Sequence, residues 1–185
     1  MLSVQTKYFG ILSCREEEVF EFLRGMPAFE DEKHFVLIEL PENAPLVFLQ
    51  SLTHPTLCFL AFPILVADRA YQLAVSVEDL TALNLDRGRQ PELGREVLVL
   101  ALVSLHDRFS ATANLMAPIV INLARRRALQ ALRCDSLYSY QHSIEPQSAQ
   151  TTAGSALASE SPAAGCCCAC SQLGTKRECS REGAC

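Results

Sequence analysis

Four histidines, a run of three glutamates and nine cysteines are the residues of this 185-residue chain whose types could carry chemistry. His34, His54, His106 and His142 are isolated in sequence and lack the spacing that brings two imidazoles to one metal ion. Glu16, Glu17 and Glu18 could supply a general acid only if opposed carboxyls sat in different environments, and three adjacent acids usually form a solvated turn. Cys14 stands beside Arg15, which would lower its thiol pKa, yet no histidine is placed to serve as its base. Cys58 and Cys134 lie among apolar residues and read as small reduced hydrophobes. There is no glycine-rich phosphate loop, Gly-x-Ser-x-Gly, His-Glu-x-x-His or EF-hand pattern. The expectation is therefore binding rather than catalysis, with no catalytic residue, no metal ligand and no cofactor.

The other six cysteines, Cys166, Cys167, Cys168, Cys170, Cys179 and Cys185, crowd into the last stretch of the chain. A zinc site wants two Cys-x-x-Cys pairs at a regular interval, or histidines at helical spacing. One crowded cluster, two stragglers and no nearby histidine do not supply it. This stretch also lacks aromatic residues: all nine Phe and four Tyr lie between Tyr8 and Tyr140. Beyond position 145 only Leu157 and Leu173 are large and aliphatic, too few to offset the entropy of ordering. The chain divides into a folded domain over residues 1–145 and a disordered Cys-rich tail over 146–185.

Charge is as uneven as aromatic content. Residues 1–45 hold nine acids against four bases, a balance of −5 that equals the net charge of the whole chain. Phosphate neutralisation needs clustered Lys and Arg, so an acidic first third argues against direct nucleic-acid binding. A basic protein partner would be attracted instead, although acids on turns also serve simply to keep a domain soluble. The first residues show no basic region followed by an apolar core. The longest apolar run, 57–67, contains Pro63 and falls short of the roughly 18–20 residues of a spanning helix. A cytoplasmic protein without membrane contact is expected.

The elements that must position a binding surface read mainly as short strands. Residues 3–10, 18–23, 34–40, 57–66, 71–75, 96–105, 115–123 and 129–137 are apolar or alternating and are bounded by Gly, Pro and polar turns, and 46–52 reads as a strand or a short helical turn. Ser76 before Val77-Glu78-Asp79 is a helix N-cap signal, giving one short helix over 77–85. Many strands at about ten-residue spacing point to an all-β, mainly antiparallel, small barrel-like domain. Within it Gly25 and Pro27 fix a turn that presents Phe29 and Glu30. Gln50, Asn114 and Asn122 close apolar runs through backbone hydrogen bonds, with Pro118 inside the last such run.

Five segments occur in an order and spacing that resemble one family. They are Lys7-Tyr8-Phe9-Gly10; Phe22 to Glu30, reading Phe-Leu-Arg-Gly-Met-Pro-Ala-Phe-Glu; Phe35-Val36-Leu37; Leu49-Gln50-Ser51-Leu52 with Pro55 and Phe59; and Asn114 to Asn122. The chain resembles the bacterial flagellar assembly factor FliW from about Tyr8 to Leu132. That resemblance implies a non-enzymatic β-barrel that binds the C-terminal region of flagellin in the cytoplasm. When free, such a protein binds the RNA-binding regulator CsrA and relieves its repression of flagellin translation. The acidic residues Glu16, Glu17, Glu18, Glu30, Asp31 and Glu32, with Phe29, are the expected partner surface. Ala28 stands where the family usually has a second glycine, which restricts the left-handed conformation there. Phe62-Pro63 replaces an acidic residue before proline, and the Cys-rich tail is foreign to the family.

Two alternatives belong to other classes. One is a small-ligand or flavin-binding barrel enzyme, and the other is a redox or metal module built on the tail cysteines.

Overall fold

A computed structural model describes residues 1–106, 109–135 and 137–144. The expected disordered tail over 146–185 lies outside the described residues.

The chain opens with a hairpin, β1 (Leu2–Thr6) and β2 (Gly10–Cys14), where a single strand over 3–10 was expected. Thr6 turns the chain early: its Oγ1 donates to Gly10 O at 2.8 Å and accepts from Phe9 N at 3.0 Å. Gly10, at φ 65°, completes the reversal in a conformation that favours glycine.

The main sheet runs through β3 (Val19–Phe22), β4 (His34–Glu39), β5 (Val47–Ser51), β6 (Cys58–Pro63), β7 (Val97–His106), β8 (Phe109–Asn122) and β9 (Arg127–Gln130). Neighbours in this order pair antiparallel. β9 then pairs parallel with β3, Glu21 opposite Arg127 and Phe22 opposite Ala128, and so closes seven strands into a barrel. A short β10 (His142–Ser143) adds to β8. The expected all-β barrel is therefore what the chain forms.

Inward residues fill the barrel. Phe22, Phe35, Leu49, Ala61, Leu100, Ile119 and Ile121 are all inaccessible to solvent and pack as one cluster. Each buried Phe or Leu contributes about 1.5–3 kcal/mol relative to exposure. A second core lies on the outer face of β7, β8 and β9, where Val97, Val99, Val120 and Leu129 point the other way. The long connection from β6 to β7 covers it with Ile64, Tyr71, Leu73, Val75, Leu80 and Leu83. That is why β7 and β8 read as continuous apolar runs: both faces are covered.

This connection departs from expectation twice. The apolar run after Pro63 becomes a helical turn, α1 (Ile64–Ala67), so the described residues hold two short α-helices where one is expected. The second, α2 (Val77–Ala82), starts where its signal stood, with Ser76 Oγ accepting from Asp79 N at 3.0 Å. The expected strand over 71–75 is extended but joins no sheet. Alternate residues Tyr71, Leu73 and Val75 are buried, which produced the strand-like pattern. The side-chain amide of Gln90 takes the place of a neighbouring strand, accepting from Val75 N at 2.8 Å and donating to Val75 O at 3.0 Å.

The last strand expected over 129–137 starts earlier and is shorter. Pro118, on the facing strand, has no N–H to return, so past Ile119–Gln130 the seam is held from one side only, by Ala131 N to Pro118 O at 2.9 Å and Arg133 N to Met116 O at 3.0 Å. Asn114, expected at a strand end, lies inside β8. Register with β7 slips there, from Leu100 opposite Ile119 to Leu102 opposite Asn114. Asn114 Oδ1 accepts from Met116 N and Ala117 N at 3.1 and 3.0 Å, satisfying amides that the bulge frees.

Candidate partner-binding site

Three of the five sequence segments converge at one end of the barrel. The β3–β4 loop reverses at Gly25, whose N–H donates to Phe22 O at 3.1 Å, and continues into a tight turn from Met26 to Phe29. Pro27 at the second position and a positive φ at the third mark a type II turn. The third position is Ala28, at φ 67°, so the missing second glycine does not prevent the left-handed conformation. Its N–H is met by Glu30 Oε1 at 3.0 Å. The turn buries Met26 and leaves Phe29 41% exposed, its ring edge-on to Phe59 at 5.5 Å.

The neighbouring β5–β6 loop is built by Gln50 and Ser51. Gln50 is fully buried, and its Nε2 donates to Ser51 O at 2.9 Å and Leu57 O at 3.0 Å. Ser51 Oγ accepts from Thr53 N at 3.2 Å and His54 N at 2.9 Å. Gln50 thus organises the loop through two short carbonyl contacts, with the His54 and Pro55 carbonyls 3.4 and 3.5 Å from the same nitrogen. On the far side, Pro55 O accepts from Lys7 N at 3.0 Å, and Phe9 packs edge-on to Phe48 at 5.3 Å. The β1–β2 tip is seated there with Tyr8 58% exposed.

Glu32 joins the two loops, and its position differs from the surface acid expected of it. The residue is only 7% exposed. Ser51 Oγ donates to its carboxylate at 2.7 Å, His54 Nδ1 lies 2.6 Å from the other oxygen, and Thr53 Oγ1 makes a third contact. The Thr53 hydroxyl does most to hold this carboxyl below the usual carboxylate range; burial opposes it, and Ser51 and His54 assist. Ser, His and Glu are the residue types of a hydrolytic triad, but the connectivity is different. Here the serine hydroxyl donates straight to the carboxylate, whereas a nucleophile must donate to the imidazole. The cluster is a clamp between loops.

The remaining acids divide between two places. Glu16–Glu18 form a 3-10 turn at the start of β3, and Glu30 and Asp31 follow its other end. The length of β3 alone separates them by roughly 13 Å at the usual rise per residue. Arg15 pairs with Glu17 at 2.9 Å and Glu18 at 3.0 Å. The Glu18 carboxyl is held below its usual range, first by the Arg15 N–H and then by the Arg15 side chain. Parallel closure also sets Arg127 3.8 Å from Glu21, and Arg126 stacks over Phe20 at 5.1 Å. The acidic turn therefore carries its own cations.

The fifth segment is structural and lies away from these loops. Asn122 ends β8, where its Oδ1 accepts from Ala124 N at 2.9 Å and Arg125 N at 3.1 Å. Its Nδ2 donates to Leu83 O at 2.9 Å, fixing α2 to the barrel. The barrel interior is filled by side chains, and an open apolar groove of about 970 Å³ lies outside it, lined by Leu60, Phe62, Val103 and Leu105. Cys14 is buried, and burial, then Glu18, raises its thiol pKa, the reverse of what Arg15 alone would do. Burial pushes the Cys58 thiol up to about 11. Among the described residues no group of three or more His, Cys, Asp or Glu could hold a metal ion, and no helix is long and apolar enough to cross a membrane.

This end of the barrel also carries Tyr8, Thr53 and His54, none of which is among the site residues expected from the sequence. His54 was set aside as isolated, yet it lies four residues after Gln50, inside the loop that Gln50 and Ser51 organise.

A filled, closed β-barrel whose hairpin loops present aromatic and acidic side chains defines a small all-β protein with a loop-built surface. The family model described as FliW protein matches residues 3–144. A flagellar assembly factor FliW from Syntrophomonas wolfei is 33% identical over 86% of this chain and 99% of its own length. The Bacillus subtilis flagellar assembly factor FliW is 32% identical over 78% of this chain and 98% of its own. A crystal structure of the flagellar assembly factor FliW superposes with a TM-score of 0.67 at 29% identity, covering 78% of this chain and 97% of that one. The chain belongs to the FliW family.

Proposed function

We propose that this protein is a flagellar assembly factor that binds flagellin in the cytoplasm and, when free, binds and antagonises the translational regulator CsrA. Flagellin synthesis is thereby coupled to export. The observation that carries this reading is the family match across residues 3–144, which spans the three segments that build the loop end of the barrel. The surface supports it physically. Tyr8 and Phe29 are exposed aromatics on constrained turns, the residue type that most often anchors protein partners. Glu16, Glu17, Glu30 and Asp31 are exposed and would speed encounter with a basic RNA-binding protein. Two partners sharing one carrier need only mass action and a difference in affinity to be exchanged. No catalytic step is assigned to it.

The test is capture of partners from lysate of a flagellated bacterium with mass identification, followed by calorimetric titration with purified flagellin and CsrA. Flagellin and CsrA should dominate the capture and bind separately in titration. Absence of binding by both purified proteins overturns the reading. Replacing Glu16, Glu17 and Glu18 together by Gln should weaken CsrA binding and flatten its salt dependence. Unchanged binding removes the acidic turn from the interface and leaves Tyr8 and Phe29 to carry it.

A further inference from the structure

We propose that Glu32 is a positioning residue for the partner surface: its buried carboxylate fixes three loops into one preformed contact face. This rests on the reading that the loop end of the barrel receives protein partners.

The connections are explicit. Glu32 belongs to the β3–β4 loop, and its N–H donates to Phe29 O at 3.1 Å. The carboxylate holds Ser51, Thr53 and His54 of the next loop. Within that loop, Leu57 N donates to His54 O at 3.0 Å, and Gln50 Nε2 lies 3.4 and 3.5 Å from the carbonyls of His54 and Pro55. Pro55 O in turn receives Lys7 N, one residue before Tyr8. A single carboxylate therefore stands between Phe29 on one side and Tyr8 on the other. The β5–β6 loop has little apolar anchorage of its own: Thr53, His54, Pro55 and Thr56 are all exposed. Charge-assisted hydrogen bonds hold it, and such bonds are short and roughly twice as strong as neutral ones.

A buried acid is an expensive way to hold a surface loop unless the loop's exact shape matters, because an apolar plug would avoid the desolvation. Ordering the loop before contact removes that entropy cost from association, which raises affinity without adding any contact.

The test compares Glu32→Gln, Thr53→Val and Thr53→Ser in the full chain. Thr53→Val removes one donor to the carboxylate from an exposed position, and Thr53→Ser keeps it. Hydrogen exchange on the free protein should accelerate at the amides of residues 52–57 and of Lys7 in the first two variants. The increase should exceed that of the β7 and β8 amides by about tenfold, marking local release rather than general destabilisation. Affinity for purified flagellin or CsrA should fall about tenfold in the same variants, with Thr53→Ser behaving as wild type. Unchanged loop exchange in both variants overturns the proposal, and so does faster loop exchange with undiminished affinity. If the unmodified protein binds neither partner, the proposed function fails; the exchange comparison then alone upholds or overturns the role of Glu32 in holding the loops.

Discussion

Gly25 and Glu30 pass so close that a Cβ on Gly25 would lie 2.4 Å from the Glu30 carbonyl oxygen and 2.6 Å from its Cα. The atoms in the way are main chain, so no rotamer change relieves the overlap. Gly25 also sits at φ 72°, where a side chain is disfavoured in any surroundings. Gly25→Ala should cost about 3 kcal/mol or more, combining backbone strain with overpacking. Denaturant unfolding measures this, and a loss below about 1 kcal/mol would show that the loop yields easily.

Ala28 gives the opposite prediction at the next tight position. It occupies φ 67° in a type II turn that calls for glycine. Ala28→Gly relieves about 1–2 kcal/mol of left-handed strain and restores part of the unfolded chain's entropy, for a net gain of about 0.5–1 kcal/mol. A raised melting temperature is the expected result.

Asn122 serves two amides and one carbonyl while buried. Asn122→Ala leaves the Leu83 carbonyl and the turn amides without their partner and should cost about 2–3 kcal/mol. The loss should appear in thermal unfolding, with faster exchange concentrated in α2 and the β8–β9 turn.

Acid should weaken the Glu32 clamp. Its carboxyl titrates lower in the folded chain than in the unfolded one, so folding favours the ionised form. The stabilisation is complete above the unfolded value of about 4.3 and is lost as pH falls through the lower folded value. Glu32→Gln cannot titrate, so the melting-temperature gap between wild type and variant should narrow from about pH 6 to about pH 3. A gap independent of pH would contradict the assigned ionisation.

Phe29 is exposed enough to be replaced with little harm to the core, its ring meeting the half-buried Phe59 edge-on. Phe29→Ala should lower partner affinity about tenfold or more with a small change in melting temperature. Calorimetric titration against flagellin and CsrA decides it, and unchanged affinity for both would place the interface elsewhere.

The barrel was legible in sequence because most strands announce themselves by apolar runs between Gly and Pro. The departures have specific physical sources. Tyr71, Leu73 and Val75 alternate like a strand, but a side chain, Gln90, satisfies their backbone, which no local pattern encodes. Pro118 removes its strand's half of the ladder and so shortens the partner strand rather than its own. The Gly25–Glu30 turn could be read from residue types. Glu32 could not, because its burial depends on Ser51, Thr53 and His54, about twenty residues away along the chain. Long-range pairing escapes the sequence in the same way at the other end of β3, where Arg126 helps lower the Glu18 pKa and Arg127 lies near Glu21 only through strand closure.

That closure also sets the order of events when the chain folds. β3 and β9 meet across more than a hundred residues of sequence, so the last seam cannot be sealed until nearly the whole domain has left the ribosome. Seams of such long range are entropically slow to form and place the domain among the slower-folding topologies. A nascent chain stopped before Arg127 leaves β3 without its final partner and presents an open strand edge. Every truncation that removes β9 should therefore aggregate rather than yield a smaller barrel.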